Sequence, residues 1–186
     1  MGLLLNPSAW IVRWSHLLAP QSTVLDVACG SGRHVQWFTD HGHSVTGIDL
    51  NIDHARQCLP STELVCADME NDPWPLAANG QVRTFGAVIV TNYLWRPLMP
   101  VVLSSVAPGG VLLYETFATG NEKLGRPARP DFLLRPGELL RTCASLQVVA
   151  YENGFLDNPP RFVQRIAAIR PLNEASSPVE SSQCAL

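Results

Sequence analysis

The run Val24-Leu25-Asp26-Val27-Ala28-Cys29-Gly30-Ser31-Gly32-Arg33 leaves few folds open to this chain. A hydrophobic strand leads into a glycine-rich turn, and the turn opens a helix. Glycines at such a turn accept backbone angles that other residues avoid, and they let a ligand come close to the main chain. That ligand then meets backbone N–H groups at the helix N-terminus. The device belongs to open sheets of parallel strands, where ligands bind beyond the carboxyl ends of the strands.

Apolar runs and helical patterns alternate on either side of this turn. Strands are expected over 23–28, 44–49, 63–67, 85–91 and 111–116. Helices are expected over 33–40, with Gly42 as the exit, over 53–59, capped by Asn51 and stopped by Pro60, and over 98–106. Near-continuous apolar strands separated by helices indicate a parallel sheet covered on both faces. Ahead of them, Trp10, Ile11, Trp14, Leu17 and Leu18 stand at helical spacing and give an amphipathic helix over 8–19. Behind them comes a stretch rich in Gly, Pro and Arg over 117–136, then a short helix over 137–144. Two β-like runs, 146–151 and 161–169, form a hairpin at the end of the sheet. A chain of 186 residues suits one domain, here 1–172, with 1–20 as an N-terminal helical segment and 117–136 as a candidate lid loop. The Ser-rich tail 173–186 is expected to be disordered.

The formal net charge of −3 supplies no overall field toward nucleic acid or anionic lipid, and neither is expected as a partner. No stretch approaches the ~20 apolar residues of a membrane span. The apolar start of the chain lacks a basic flank and is too short for a signal peptide. Cys29, Cys58, Cys66, Cys143 and Cys184 are odd in number and form no CxxC pair. That argues against a disulfide framework and against a zinc site, so no metal is expected, and reduced thiols suggest the cytoplasm.

Two acidic residues close later strands. Asp49 lies about 20 residues after the glycines, where a carboxylate accepts hydrogen bonds from ribose hydroxyls. Asp68 stands where it would meet the edge of an adenine ring. A dinucleotide-binding oxidoreductase is the competing reading, but its fingerprint wants a third small residue where Val35 stands.

Taken together, these blocks resemble class I S-adenosylmethionine-dependent methyltransferases. Residues 24–33 resemble motif I, Gly47-Ile48-Asp49-Leu50 the acidic second motif, and Ala67-Asp68-Met69-Glu70 the third. Val88-Ile89-Val90-Thr91-Asn92-Tyr93-Leu94 resembles the fourth strand with its active-site loop. Leu103 through Tyr114 resembles the block after it. The resemblance covers about residues 22–116 and is nearest to small bacterial methyltransferase-like or tellurite-resistance-like proteins. It implies an α/β, doubly wound, seven-stranded sheet, mostly parallel with an antiparallel last strand: a Rossmann-like methyltransferase fold. It implies S-adenosylmethionine as cofactor, with contacts from Asp26, Ala28, Gly30, Gly32, Asp49, Leu50, Asp68, Met69 and Thr91. The implied activity is in-line methyl transfer to an unidentified small-molecule acceptor. The alternative is a non-catalytic S-adenosylmethionine-binding module acting through a protein partner. Asn92-Tyr93 lacks the prolines of the Asn-Pro-Pro-Tyr sequence found where amino groups are methylated, which argues against a base or glutamine amide as acceptor.

Tyr93, Trp95 and Arg96 follow the fourth strand, beside the expected methyl group. Tyr93 and Arg96 are the catalytic candidates, and aromatic faces there would attract a sulfonium. No general base stands out, because His16, His34, His41, His43 and His54 are scattered. Arg126 and Arg129, in the 117–136 stretch, are candidates for recognising a polar or anionic acceptor. The other reading of that stretch is a solvated, proline-stiffened loop. Cys29 reads as a packing residue, and Trp10 and Trp14 as core.

Overall fold

The computed structural model describes residues 6–172, so the tail expected to be disordered lies outside the described residues. The main sheet is built from β1 (Thr23–Val27), β2 (Ser44–Asp49), β3 (Glu63–Cys66), β6 (Phe85–Thr91), β7 (Val106–Phe117), β8 (Gln147–Asp157) and β9 (Pro160–Ile169). Between β3 and β6 a two-residue hairpin pairs β4 (Ala77–Ala78) with β5 (Gln81–Val82). The helices are α1 (Ala9–Trp14), α2 (Arg33–Asp40), α3 (Asp53–Cys58), α4 (Met99–Ser104) and α5 (Glu138–Thr142).

The seven strands lie in the order β3-β2-β1-β6-β7-β9-β8. The first five of these are mutually parallel, and β9 runs antiparallel to both of its neighbours. An all-parallel dinucleotide-binding sheet has no such inserted strand. The chain reverses direction about β1, going out to β3 on one side and β7 on the other. Asp26 registers with Gly47 and Ile89, so β1 delivers the glycine turn to the middle of the carboxyl edge.

Alternate side chains feed two cores, as the period of a strand requires. Leu25, Val27, Val88, Val90, Leu112 and Tyr114 face α4 and α5. Val24, Ala87, Ile89, Val111 and Leu113 face α1 and α2, with Trp10, Ile11, Val35 and Phe38. Trp10 is therefore core, as its spacing suggested, and Trp14 packs partly buried beside it.

Several bounds differ from expectation. β7 begins at Val106 rather than 111, because Gly109 N–H donates to Arg170 O (2.8 Å) and Arg170 N–H to Gly110 O (2.8 Å), drawing the glycine turn into the ladder. The N-terminal helix ends at Trp14 and tightens into a 3₁₀ turn, Ser15–Leu17. The 117–136 stretch is not structureless. It contains 3₁₀ turns at Asn121–Lys123 and Pro130–Phe132, and Ala118 bridges Leu134. Among the described residues no helix is long and apolar enough to cross a membrane.

Candidate active site

The carboxyl edge of β1, β2, β3 and β6 frames a cleft of 360 Å³, walled by Asp49 and Leu50 on one side and Asp68, Met69 and Glu70 on the other. Ala28 and Tyr93 also line it. Leu50 is largely exposed, an unusual setting for leucine, and it overhangs this cleft.

The glycine turn approaches the cleft with two different glycines. Gly30 takes φ +54° and has no atom within 4 Å of where a Cβ would stand, so its surface is left open. Gly32 takes φ +87°, and a Cβ there would lie 2.9 Å from Leu59 Cδ1 and 3.3 Å from Ala55 Cβ. Gly32 was expected among the cofactor contacts; its side faces α3, and it seats the start of α2 there.

Asp49 is fixed by the turn it serves. Its Oδ2 accepts from Gly30 N–H (2.8 Å) and its Oδ1 from Asn51 N–H (3.0 Å). The remaining lone pairs are free for hydroxyl donors. Asp68 is tied into its own turn: Oδ1 accepts from Glu70 N–H (3.0 Å) and Asn71 N–H (3.2 Å), and Oδ2 from Asn71 Nδ2 (2.9 Å). The Asn71 bond foremost, then that from Glu70, holds this carboxyl below its usual range. Met69 and Thr91 are buried at the same edge.

Asp26 is the exceptional residue. It is 1% exposed, and neither carboxylate oxygen has a hydrogen-bond partner among the described residues. Burial pushes its pKa up to about 8; Arg33 opposes the rise and Asp49 adds to it. His34 Nδ1 lies 4.0 Å from Asp26 Oδ2, too far for a hydrogen bond. His34 Nε2 accepts from Ser8 N–H (3.0 Å), which places the imidazole proton on Nδ1, facing Asp26. Burial holds this imidazole down to about 3, so it is neutral. Ser8 also donates from Oγ to Glu115 Oε1 (3.0 Å), and Glu115 Oε2 accepts from Arg165 (3.2 Å).

These residues fit S-adenosylmethionine. A buried carboxylate without a donor suits an ammonium group, the Asp49 carboxylate suits a ribose, and the side chains of Leu50 and Met69 suit an adenine face. Among the described residues no group of three His, Cys, Asp or Glu is placed to hold a metal ion.

Beyond Tyr93 the expected catalytic candidates separate. Tyr93 stands on the cleft with its hydroxyl buried; burial and then the neighbouring Glu70 charge raise its pKa, so the phenol stays protonated. Arg96 is held elsewhere. Its Nε and Nη2 bond Glu138 (2.7 and 2.9 Å), while Nη1 and Nη2 reach Asp131 O (2.7 Å) and Leu133 O (2.9 Å). Burial opposes ionisation of Glu138, yet the Arg96 bonds hold its pKa below the usual value. Trp95 packs, partly buried, against the core. Arg129 pairs with Asp131 (3.1 Å) and lies over Phe132. Arg126 lines a hollow further along the same edge. Ser8, His34, Glu70, Glu115 and Arg161 are at this edge too, and none was singled out as a site residue from the sequence. For Ser8 the helix-capping position before Ala9 was a readable signal; the others are brought in by strand order alone.

Residues 24–110 match the family described as "Methyltransferase domain". A malonyl-[acyl-carrier protein] O-methyltransferase from Serratia marcescens is 32% identical over 114 residues, covering 57% of this chain and 43% of that protein. A dTDP-3-amino-3,4,6-trideoxy-alpha-D-glucopyranose N,N-dimethyltransferase from Streptomyces venezuelae is 32% identical over 110 residues, 53% of this chain and 46% of that protein. The chain thus matches less than half the length of these curated relatives. The fold is shared with TehB from Haemophilus influenzae at TM-score 0.67 and 18% identity, over 86% of this chain and 61% of that one.

Proposed function

We propose that this chain is a class I S-adenosylmethionine methyltransferase that transfers a methyl group from S-adenosylmethionine to a small-molecule acceptor. The observation that carries the reading is strand-end Asp49 on the cleft, bonded to Gly30 of the open glycine turn, with buried Asp26 behind it on the adjacent strand. When bound, S-adenosylmethionine supplies a methyl group on a positive sulfur that departs with the electrons of the broken carbon–sulfur bond.

The chain's own residues then have to bind, orient and shield. Asp26 takes the ammonium of the methionine part, with Ala28 and Gly30 giving backbone approach. Asp49 accepts from the ribose hydroxyls, and Leu50 and Met69 cover the adenine, with Asp68 at its edge. Thr91 and Tyr93 stand at the end of β6 where the methyl would face its acceptor. Tyr93, a neutral phenol, offers a donor and an aromatic face rather than a base. Holding the acceptor in line is the main contribution, and orientation of this kind supplies about 7–11 kcal/mol. Arg96 serves by pinning the 117–136 segment. A cytoplasmic setting is part of the same proposal, in keeping with the unpaired arrangement of Cys29, Cys66 and Cys143.

Calorimetric titration with S-adenosylmethionine, S-adenosylhomocysteine and NAD tests this. Saturable binding of the first two, much weakened in Asp49→Ala, is the expected result. Binding of NAD alone, or of none, would overturn it.

A further inference from the structure

Next to the cofactor cleft lie two more hollows on the same edge. The inner one, 180 Å³, shares Glu70 and Tyr93 with the cleft and is otherwise walled chiefly by Leu94, Phe117, Pro127 and Phe132. The outer one, 320 Å³, shares Asn92 and Phe117 with the inner and brings in Arg126 and Arg161. The three form one line, running from the cofactor through an apolar throat to a basic mouth.

The mouth's charge is matched only in part from within. Arg161 Nη2 is 3.7 Å from Glu115 Oε1, beyond hydrogen-bond length, and Arg161 Nε is buried with no acceptor among the described residues. Glu115 is also engaged by Ser8 Oγ and by Arg165, and Arg165 pairs in turn with Glu152, so this cluster sets two guanidinium groups against two carboxylates. Arg126 has no carboxylate partner among the described residues, and nearby Glu122 turns back to accept from Gly120 N–H (2.7 Å). An Arg126 without a carboxylate partner beside Arg161, in a chain of net charge −3, is not a by-product of general basicity. Guanidinium forks match planar carboxylates in geometry as well as charge. At the other end Glu70 repels an anion, which sets the direction of entry.

We propose that the acceptor is a small carboxylic acid with a flat apolar body, its carboxylate held at the mouth by Arg126 and Arg161 and its body lying between Tyr93, Phe117 and Phe132. The accepting atom then lies at the end away from the carboxylate, at the junction with the cofactor cleft. This rests on the methyl-transfer reading of that cleft.

The test uses the full chain saturated with S-adenosylhomocysteine. It is titrated with phenylacetate, 3-phenylpropionate and indole-3-acetate, each against its primary amide and its amine counterpart. At least one acid should bind about tenfold or more tightly than its amide, as a hydrogen-bonded charge provides. Arg126→Glu should erase that preference while leaving S-adenosylhomocysteine affinity unchanged. Because Arg161 abuts buried Glu115, Arg161→Lys is the gentler companion and should reduce the preference in a folded protein. No acid binding better than its amide, a preference for the amines, or an acid preference that survives Arg126→Glu would overturn the proposal. Binding of S-adenosylhomocysteine, measured first, reports on the methyl-transfer reading separately.

Discussion

Asp26 is in register with Gly47, so Asp49 stands two positions further along the neighbouring strand, yet their surroundings set opposite tasks. With a pKa near 8, Asp26 is mainly protonated at pH 7 in the cofactor-free chain. An ammonium brought beside it favours the ionised form. Cofactor binding at pH 7 should therefore release close to one proton, read as a dependence of the calorimetric enthalpy on buffer ionisation, and Asp26→Asn should abolish that dependence. The stability sign follows from the same shift. The folded value lies above the ordinary 3.8, so the folded chain holds this proton longer. Stability from this group is complete below about 3.8 and is lost as pH rises through about 8. The cofactor-free Asp26→Asn protein should accordingly melt above its parent at pH 8.5, with the gap closing in acid. Asp49→Ala should weaken cofactor binding by about 10–100-fold, the worth of hydrogen bonds to a charged group. Asp49 was legible because a strand ending on a carboxylate is a local pattern, and Asp26 because it stands inside the 24–33 run. His34 and Glu115 were not, since they lie 81 positions apart in sequence and meet only through Ser8.

Local rules also decided which elements could be read. α2 and β2 matched their expected bounds because a glycine turn and an alternating apolar run mark their ends. β7 did not, because its early start depends on hydrogen bonds from Arg170, a residue on the far side of the hairpin. Gly32 could not be separated from Gly30 by sequence, since only the packing of α3 tells them apart. Gly32→Ala should cost about 1–3 kcal/mol through its left-handed backbone and the clash with Leu59, visible as a lower denaturation midpoint. The 117–136 segment read as a loop because its composition is that of loops, whereas its order comes from outside it, through Arg96. Arg96→Ala should free the segment at a cost of about 1–3 kcal/mol. Limited proteolysis would then cut within 117–136 faster than in the parent, and the acceptor KM would rise more than kcat falls.

At the scale of the molecule, the architecture was legible and the N-terminal segment's role was not. The ordered motifs imply a sheet with an antiparallel last strand, and β9 takes that place between β7 and β8. Trp10 shows how the N-terminal segment joins it: Nε1 donates to Ile166 O (3.3 Å), and Arg165 lies over its ring at 4.8 Å. Trp10→Ala should therefore cost about 3–5 kcal/mol, measured by urea denaturation, in line with other buried aromatic truncations. Ser8 goes further, for its N–H holds the helix that follows the glycine turn while its hydroxyl holds the end of β7. One small residue thus fastens the helix behind the glycine turn to the strand that leads to the acceptor hollow. Two ligands seated on either side of a shared fastener are expected to be coupled through it, and whatever factor one imposes on the other's affinity is returned in full. In Ser8→Ala, which keeps the backbone bond and loses the hydroxyl, that factor should fall toward one, leaving two sites that no longer sense each other.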